Sequence, residues 1–312
     1  RLLFTRGHVL ICGLNDQSLL MSRGFIRSGE KVVLINRFEG NPLVEEARSM
    51  GAIVVDGEPD RESVLTGAAV SRAGQLVCVE KDDRLNVEIA VLAERISAEK
   101  RSHVLPTSIH IVNSRLWDVL QGSAMGSRDF EHLRLELFNM YDRGAKMLLQ
   151  ETLSVRPVLN WGEARLLVIG VGNLGKALVV HAARAAFQNA GNGEQRLEIT
   201  IIDNQAVEVC ASLEQRYPLL NRVCRLIPLE LDFTSTAFAA GEYLYDSSGA
   251  QVFDAVYVCV QDDSAAMGII LALHSHLQHC DAPLFVRTKK RDGLGDFLHL
   301  KTDESARGQL YM

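Results

Sequence analysis

Short runs that are apolar on both faces alternate with longer stretches whose apolar positions recur at helical spacing, and this alternation continues over most of the chain. HVLICGL (8–14), KVVLINR (31–37), AIVVDG (52–57) and QLVCVEKDD (75–83) read as strands buried inside a parallel sheet. Between them the spacing predicts helices up to Arg27, over 42–50 and over 61–69. Asp82-Asp83-Arg84-Leu85-Asn86 then opens a long helix, VEIAVLAERISAEK. The strand SIHIVNS and the short helix LWDVLQ bring this first series to about Gln121. Strict strand-helix alternation with short turns means a parallel sheet covered on both faces by helices.

Gly122-Ser123-Ala124-Met125-Gly126-Ser127 reads as a linker. Beyond it Leu133, Leu137, Met140, Ala145, Leu148 and Leu149 predict an amphipathic helix over 132–151, stopped by Pro157, that belongs to neither series and needs a second surface for its apolar face. A second series begins at Arg165. It gives the strand RLLVI, a helix, the strand LEITIIDN, a helix over 206–216, the strand RLIPLELDF and a turn-rich insertion over 241–250. AVYVCVQDD, the helix SAAMGIILALHSHLQHC and the strand PLFVRTKK follow, and the tail from Arg291 carries no pattern.

The chemistry concentrates at Gly170-Val171-Gly172-Asn173-Leu174-Gly175, which joins the first strand of the second series to its helix. In such a turn the first glycine bends the chain, the second lets the backbone approach a pyrophosphate, and the third lets helix and strand pack closely. The helix offers unpaired N–H groups and the positive end of its dipole to an anion. An acidic residue is expected at the end of the next strand to hold ribose hydroxyls, and Asp203 supplies it after the polar insertion 189–195. The first series carries the same motif in altered form, with Gly13, Asn15 and Ser18 matching Gly170, Gly172 and Gly175. Asn15 puts a side chain where phosphates would approach, and Asn36-Arg37 stands where the acid is expected, so this copy reads as scaffold. The fold class expected is α/β, with two Rossmann-like doubly wound parallel-sheet halves in tandem, joined by a crossover helix. The domains expected are 1–122, a linker and helix over 123–160, and 161–312.

Composition narrows the function. A hydrophobic fraction of 47% with 23% charged residues is that of a water-soluble globular chain, and no apolar run reaches the length of a membrane helix. A net charge of −6 with scattered Lys and Arg argues against nucleic acid as a partner. The six cysteines form no CxxC pair, and Cys12, Cys78 and Cys259 fall within strands, which points to a reducing cytosolic setting without disulfides or a zinc site. The chain starts at Arg1 rather than Met, as expected of an excised fragment. Asp82 and Asp83, and their counterparts Asp262 and Asp263, read as helix caps rather than as catalytic carboxylates. His276, His279 and Cys280 have a spacing that could hold a metal, but histidines in a last helical turn are also favoured by the dipole, and no metal site is expected.

Taken in order, HVLICGLND, AIVVDGEPDRESVLTGAAV, the run from Val77 to Ile96 with DDRLN, FNMYDRGAKMLLQ, and then GVGNLG, IIDN, LELDF and VCVQDD resemble the regulator-of-K⁺-conductance (RCK) family, also called TrkA-N or KTN domains. The resemblance implies a non-enzymatic module on the cytosolic face of a K⁺ channel or transporter. Such a module assembles into a homo-oligomeric ring and alters conduction when a ligand binds, with the membrane pore or transporter subunit N-terminal in the same chain. It implies NAD(H) or another adenine nucleotide as ligand, held mainly in the second half. Gly170, Gly172, Asn173, Leu174 and Gly175 would lie under the phosphates, Asp203 on the ribose and Asp232 near the base. The alternatives are an NAD-dependent oxidoreductase and a soluble nucleotide-sensing scaffold. The oxidoreductase needs a proton donor beside the nicotinamide and a substrate domain. Both halves are consumed by their own sheets, and Tyr141 and Lys146 are five apart rather than in a Tyr-x-x-x-Lys pair.

Overall fold

The computed structural model describes residues 5–37, 39–100, 104–124, 130–157, 159–189, 196–277, 282–287 and 310–311. The chain forms two compact units, 1–140 and 141–312. In the first, β1 (Val9–Cys12), α1 (Asp16–Arg27), β2 (Val32–Asn36), α2 (Leu43–Ser49), β3 (Ile53–Asp56) and α3 (Glu62–Gly67) make one half of a sheet. The other half is β4 (Gln75–Cys78), α4 (Asp83–Lys100), β5 (Leu105–His110), α5 (Ser114–Ala124) and β6 (Leu133–Phe138). The strand order is β3-β2-β1-β4-β5-β6, all parallel. All four residues of β1 are buried, as a strand covered by helices on both faces requires.

The second unit repeats this plan. It holds α6 (Met140–Val155), β7 (Arg165–Ile169), α7 (Asn173–Asn189), β8 (Leu197–Ile202), α8 (Ala206–Arg216), α9 (Leu220–Val223) and β9 (Cys224–Leu229), then α10 (Thr236–Ala240), β10 (Ala255–Val258), α11 (Asp263–Leu277), β11 (Leu284–Val286) and β12 (Leu310–Tyr311). Its sheet runs β12-β11-β10-β7-β8-β9, again wholly parallel. Read from the other edge, this is the order of the first sheet. Strand order therefore reverses between β1 and β4 and between β7 and β10, which is where doubly wound sheets open a crevice at their carboxyl ends.

The sequence pattern misleads over 122–151, beginning with α5, which runs through Ala124 into the expected linker. The helix expected over 132–151 is a strand, β6, followed by the helix α6. Leu133 and Leu137 satisfy helical spacing, but Leu133, Leu135 and Leu137 also alternate with Arg134 and Glu136 at the period of a strand, and all three leucines join the first core. Glu94 fixes the start of the strand by accepting the backbone N–H groups of Glu131 and His132 at 3.1 and 3.0 Å. Nor does α6 lack a surface. Ala145, Leu149 and Thr152 are buried within the second unit, and Thr152 Oγ1 lies 2.6 Å from the hydroxyl of fully buried Tyr257 on β10. The helix covers its own sheet, so its apolar face gives no ground for expecting a second copy.

Among the described residues no helix is long and apolar enough to cross a membrane. Cys12, Cys78, Cys210, Cys224 and Cys259 are all free and buried. Burial pushes the thiol of Cys224 up to about 12, so it packs as a small neutral hydrophobe.

Three buried histidines tie stability to pH. Burial lowers the pKa of His8, His110 and His181 below 6.5, although Asp142, 3.1 Å from His181 Nε2, pulls that one back. With a depressed folded pKa, the unfolded chain takes the proton first, so this stability is complete above 6.5 and is lost as pH falls through the folded values. Glu80 works in the opposite sense, since burial and the nearby Asp60 raise its pKa. We expect the thermal midpoint to fall on acidification below about pH 6.5. His8→Gln should shrink that fall, as calorimetry across a pH series would show; an unchanged slope would remove His8 from the account.

Candidate functional site

The turn between β7 and α7 is built on close contacts. Gly170 has a φ of +82°, and a Cβ there would stand 2.6 Å from Val260 Cγ1 and 3.0 Å from the Val260 nitrogen. A Cβ at Gly175 would stand 2.6 Å from the Gly170 carbonyl oxygen. These two glycines let strand, turn and helix touch backbone to backbone. Gly172 is different, because a Cβ there would meet nothing nearer than Gln261 Nε2 at 3.8 Å. The middle glycine leaves space rather than filling it.

That space faces the start of α7. The first intrahelical bond runs from Lys176 N–H to the Gly172 carbonyl at 3.0 Å. Among the described residues the backbone N–H groups of Asn173, Leu174 and Gly175 have no acceptor, as the first turn of a helix leaves them. Leu174 is fixed from beneath by packing into the core, where its Cδ1 lies 3.3 Å from the Cβ position of Gly144 on α6.

Asp203, just past the end of β8, points at the same turn. Its Oδ2 accepts the N–H of Val171 at 2.9 Å and its Oδ1 that of Gln205 at 3.1 Å. A carboxylate has about four acceptor positions, so these bonds orient the group and leave room for hydroxyl donors. Asp232 lies three residues beyond β9 and is fully exposed. Its Oδ1 accepts both the N–H and the hydroxyl of Thr234 at 2.8 Å, bonds that hold its pKa below the usual carboxylate value. The glycine turn and Asp203 are thus joined by a hydrogen bond, while Asp232 is tied only to its own turn.

In the first unit the same backbone is closed. Gly13 has a φ of +101°, and Leu14 N–H donates to Asn36 Oδ1 at 3.2 Å, the neutral counterpart of the Val171–Asp203 bond. Asn15 caps α1: its Oδ1 accepts the N–H groups of Gln17 and Ser18, both at 3.0 Å, and Ser18 Oγ accepts the N–H of Asn15 at 2.9 Å. Asn15 Nδ2 donates to the Val79 carbonyl at 2.7 Å.

Asp82 and Asp262 act as caps, accepting from Arg84 N–H at 2.9 Å and from Ala265 N–H at 2.8 Å. Asp83 instead pins the exit of β5, with its carboxylate accepting from Val112 and Asn113 N–H. Both ring nitrogens of His276 are engaged, Nε2 with the Ala239 carbonyl at 3.1 Å and Nδ1 with the Tyr245 hydroxyl at 3.3 Å. His279 and Cys280 lie outside the described residues. A cavity of about 390 Å³ lined by Arg156, Asn160, Glu163 and Asp254 opens before β7 and β10, at the end of the sheet away from the glycine turn. Arg156 and Asp254 are paired with each other there at 3.1 Å.

Sequence reasoning passed over Arg287, the residue after β11. Its Nη1 is buried without a hydrogen-bond partner among the described residues, and its charge reaches Cys259, whose carbonyl matches that of Val79 in the first unit. Buried charged donors of this kind are ordinarily hydrogen-bonded. Only its place one residue past a strand end, at the crevice side of the sheet, could have drawn attention to it.

Residues 9–110 match the TrkA-N domain family. No curated protein sequence matches the chain. Among solved structures, the GsuK channel is 16% identical with a TM-score of 0.63, and the GsuK channel bound to NAD is 13% identical with a TM-score of 0.63. Each covers 99% of this chain, which spans 66% of the first and 61% of the second. The structure of GsuK bound to ADP gives 16% and 0.61, covering 99% of this chain and 66% of its own. The likeness at this identity is one of fold, and it runs through both units.

The three glycines should separate cleanly on substitution. Gly170→Ala and Gly175→Ala are expected to destabilise the chain by about 1–3 kcal/mol, because backbone atoms must move to admit the methyl. Gly172→Ala should stay within about 0.5 kcal/mol of the parent. Urea denaturation followed by circular dichroism measures all three, and equal losses would contradict the geometry.

Proposed function

We propose that the chain is the ligand-sensing regulatory module of a K⁺ channel or K⁺ transporter, lying on the cytosolic side and binding an adenine nucleotide, NAD(H) or a relative, mainly in its second unit. The observation that carries this reading is the contrast between two units of one strand order, only one of which leaves its helix N–H groups open. The fold shared with GsuK, which is described both with NAD and with ADP, supports a nucleotide as the ligand. The match of the first unit to the TrkA-N family supports the regulatory role.

In this reading the N–H groups of Leu174 and Gly175 receive a phosphate oxygen across the space left by Gly172. Asp203 accepts from the ribose hydroxyls with the lone pairs its structural bonds leave free. Asp232 lies toward the base, and Arg287 adds positive charge behind the phosphates. No side chain is assigned a proton-transfer role, and the nucleotide serves as a signal. A ring of copies, attached to a pore that precedes the module in the same chain, would turn that signal into a change of conduction.

Calorimetric titration of NAD⁺, NADH, ADP and ATP tests the site. Gly172→Asp should abolish binding by placing bulk and negative charge in the open space. Asp203→Ala should weaken it by about 1.5–3 kcal/mol, the range for hydrogen bonds to a charged group. Retained binding in Gly172→Asp would sink the assignment. Bound NADH should persist without oxidation in the presence of small ketones. The regulatory reading is tested by K⁺ flux through vesicles carrying the full-length protein, which should respond to nucleotide and lose that response in Gly172→Asp.

A further inference from the structure

We propose that the cavity before β7 and β10 of the second unit, lined by Arg156, Asn160, Glu163 and Asp254, is a binding site for a small organic cation, with ammonium or guanidinium groups on a short alkyl body. It lies at the end of the sheet away from the glycine turn and does not rest on the nucleotide reading. The two units differ at this place. In the first, Gly74 N–H donates to the His8 carbonyl at 2.8 Å, as Asp254 N–H does to the Arg165 carbonyl at 2.8 Å in the second. Strand register thus makes Gly7 and Gly74 the counterparts of Ala164 and Asp254. Between the glycines backbone rests on backbone, and a Cβ at Gly74 would stand 2.8 Å from the Gly7 carbonyl oxygen. Real Cβ atoms do not come that close, so with Asp254 in this position the two segments have to part. A volume of about 390 Å³ stays open beside them, within the range of small-ligand pockets.

The walls set the charge of the occupant. They carry one guanidinium against two carboxylates. Arg156 and Asp254 answer each other at 3.1 Å, and the second Asp254 oxygen accepts the N–H of Arg165 at 2.9 Å. The Glu163 carboxylate has no partner among the described residues, so one negative charge is left uncompensated. The helix α6 ends at Val155, directly before the cavity, and the negative end of its dipole favours a cation as well. A divalent metal ion is a poor fit, because no three His, Cys, Asp or Glu side chains come together among the described residues. Pro157, Leu159 and Ala164 instead offer an apolar wall for alkyl groups. Asn160 Oδ1 accepts the N–H of Gly162 at 3.1 Å and keeps a lone pair for a second donor. Carboxylate, amide oxygen and apolar wall together suit an alkylammonium ion.

Putrescine, a short diamine, and succinate, a dicarboxylate of the same chain length, are the probes, each titrated at constant ionic strength. Putrescine should move the amide resonances of Glu163, Ala164 and Asp254 and leave those of Gly7 and Gly74 in place, and succinate should move neither set. Calorimetry should then give a putrescine affinity that Glu163→Gln lowers by about tenfold, the loss of one charge-assisted hydrogen bond, and that Glu163→Lys abolishes. Glu163 is exposed, so both variants are expected to keep the circular dichroism spectrum of the parent. No response to putrescine, an equal response to succinate, or an affinity indifferent to Glu163→Lys would overturn the proposal. Shifts spread over surface carboxylates in both units would overturn it too, since they would mark general ion pairing. Putrescine binding should be unchanged in Gly172→Asp, so failure of the nucleotide site and failure of this one are read separately.

Discussion

The architecture of each unit rests on how close a helix can come to the strand that precedes it. In the second unit the limit is set by Gly175 against the Gly170 carbonyl, where an added Cβ would lie at 2.6 Å. That contact seats α7 on the sheet with its first turn aimed at the crevice where strand order reverses, and it leaves three backbone donors facing outward. The carboxylate of Asp203 steadies the same turn from the neighbouring strand.

The first unit keeps the architecture and changes the chemistry. Ser18 stands at the position of Gly175, and its hydroxyl bonds to Asn15 rather than leaving a bare backbone contact. Asn36 replaces the carboxylate that would hold hydroxyls, and Asn15 consumes the helix donors. Of these changes it is Asn15 that places an internal hydrogen bond where the second unit leaves helix donors without an acceptor among the described residues. The two units thus share one strand order and differ in how the first turn of the helix is capped.

Most of the fold was legible because parallel strands buried on both faces leave short continuous apolar runs, set apart from apolar helix segments such as the one in α11 by their length and flanking turn residues. Gly170, Gly175 and Asp203 were legible because strand, glycine turn, helix, second strand and terminal acid follow one another in the order of the dinucleotide fingerprint. The sequence failed at 132–151, where Leu133, Leu135 and Leu137 fit a strand while Leu133 and Leu137 also fit a helix; only pairing with β5 decides between the two periods. It also could not show that Asn15 reaches the Val79 carbonyl, because that contact joins residues far apart in the chain. The open space at Gly172 was anticipated from the role of a middle glycine, but its emptiness is a tertiary fact. Arg287 was not legible because burial of its Nη1 is a tertiary fact that no sequence pattern records.

The asparagine cap of the first unit also has a consequence in the genetic code. Asparagine and glycine codons differ at their first two bases, so passage between the open and the closed form goes through aspartate or serine. Both are strong N-cap residues. Along either route of single-base changes, every residue between the open and the closed form can cap the helix, so neither route requires an uncapped helix.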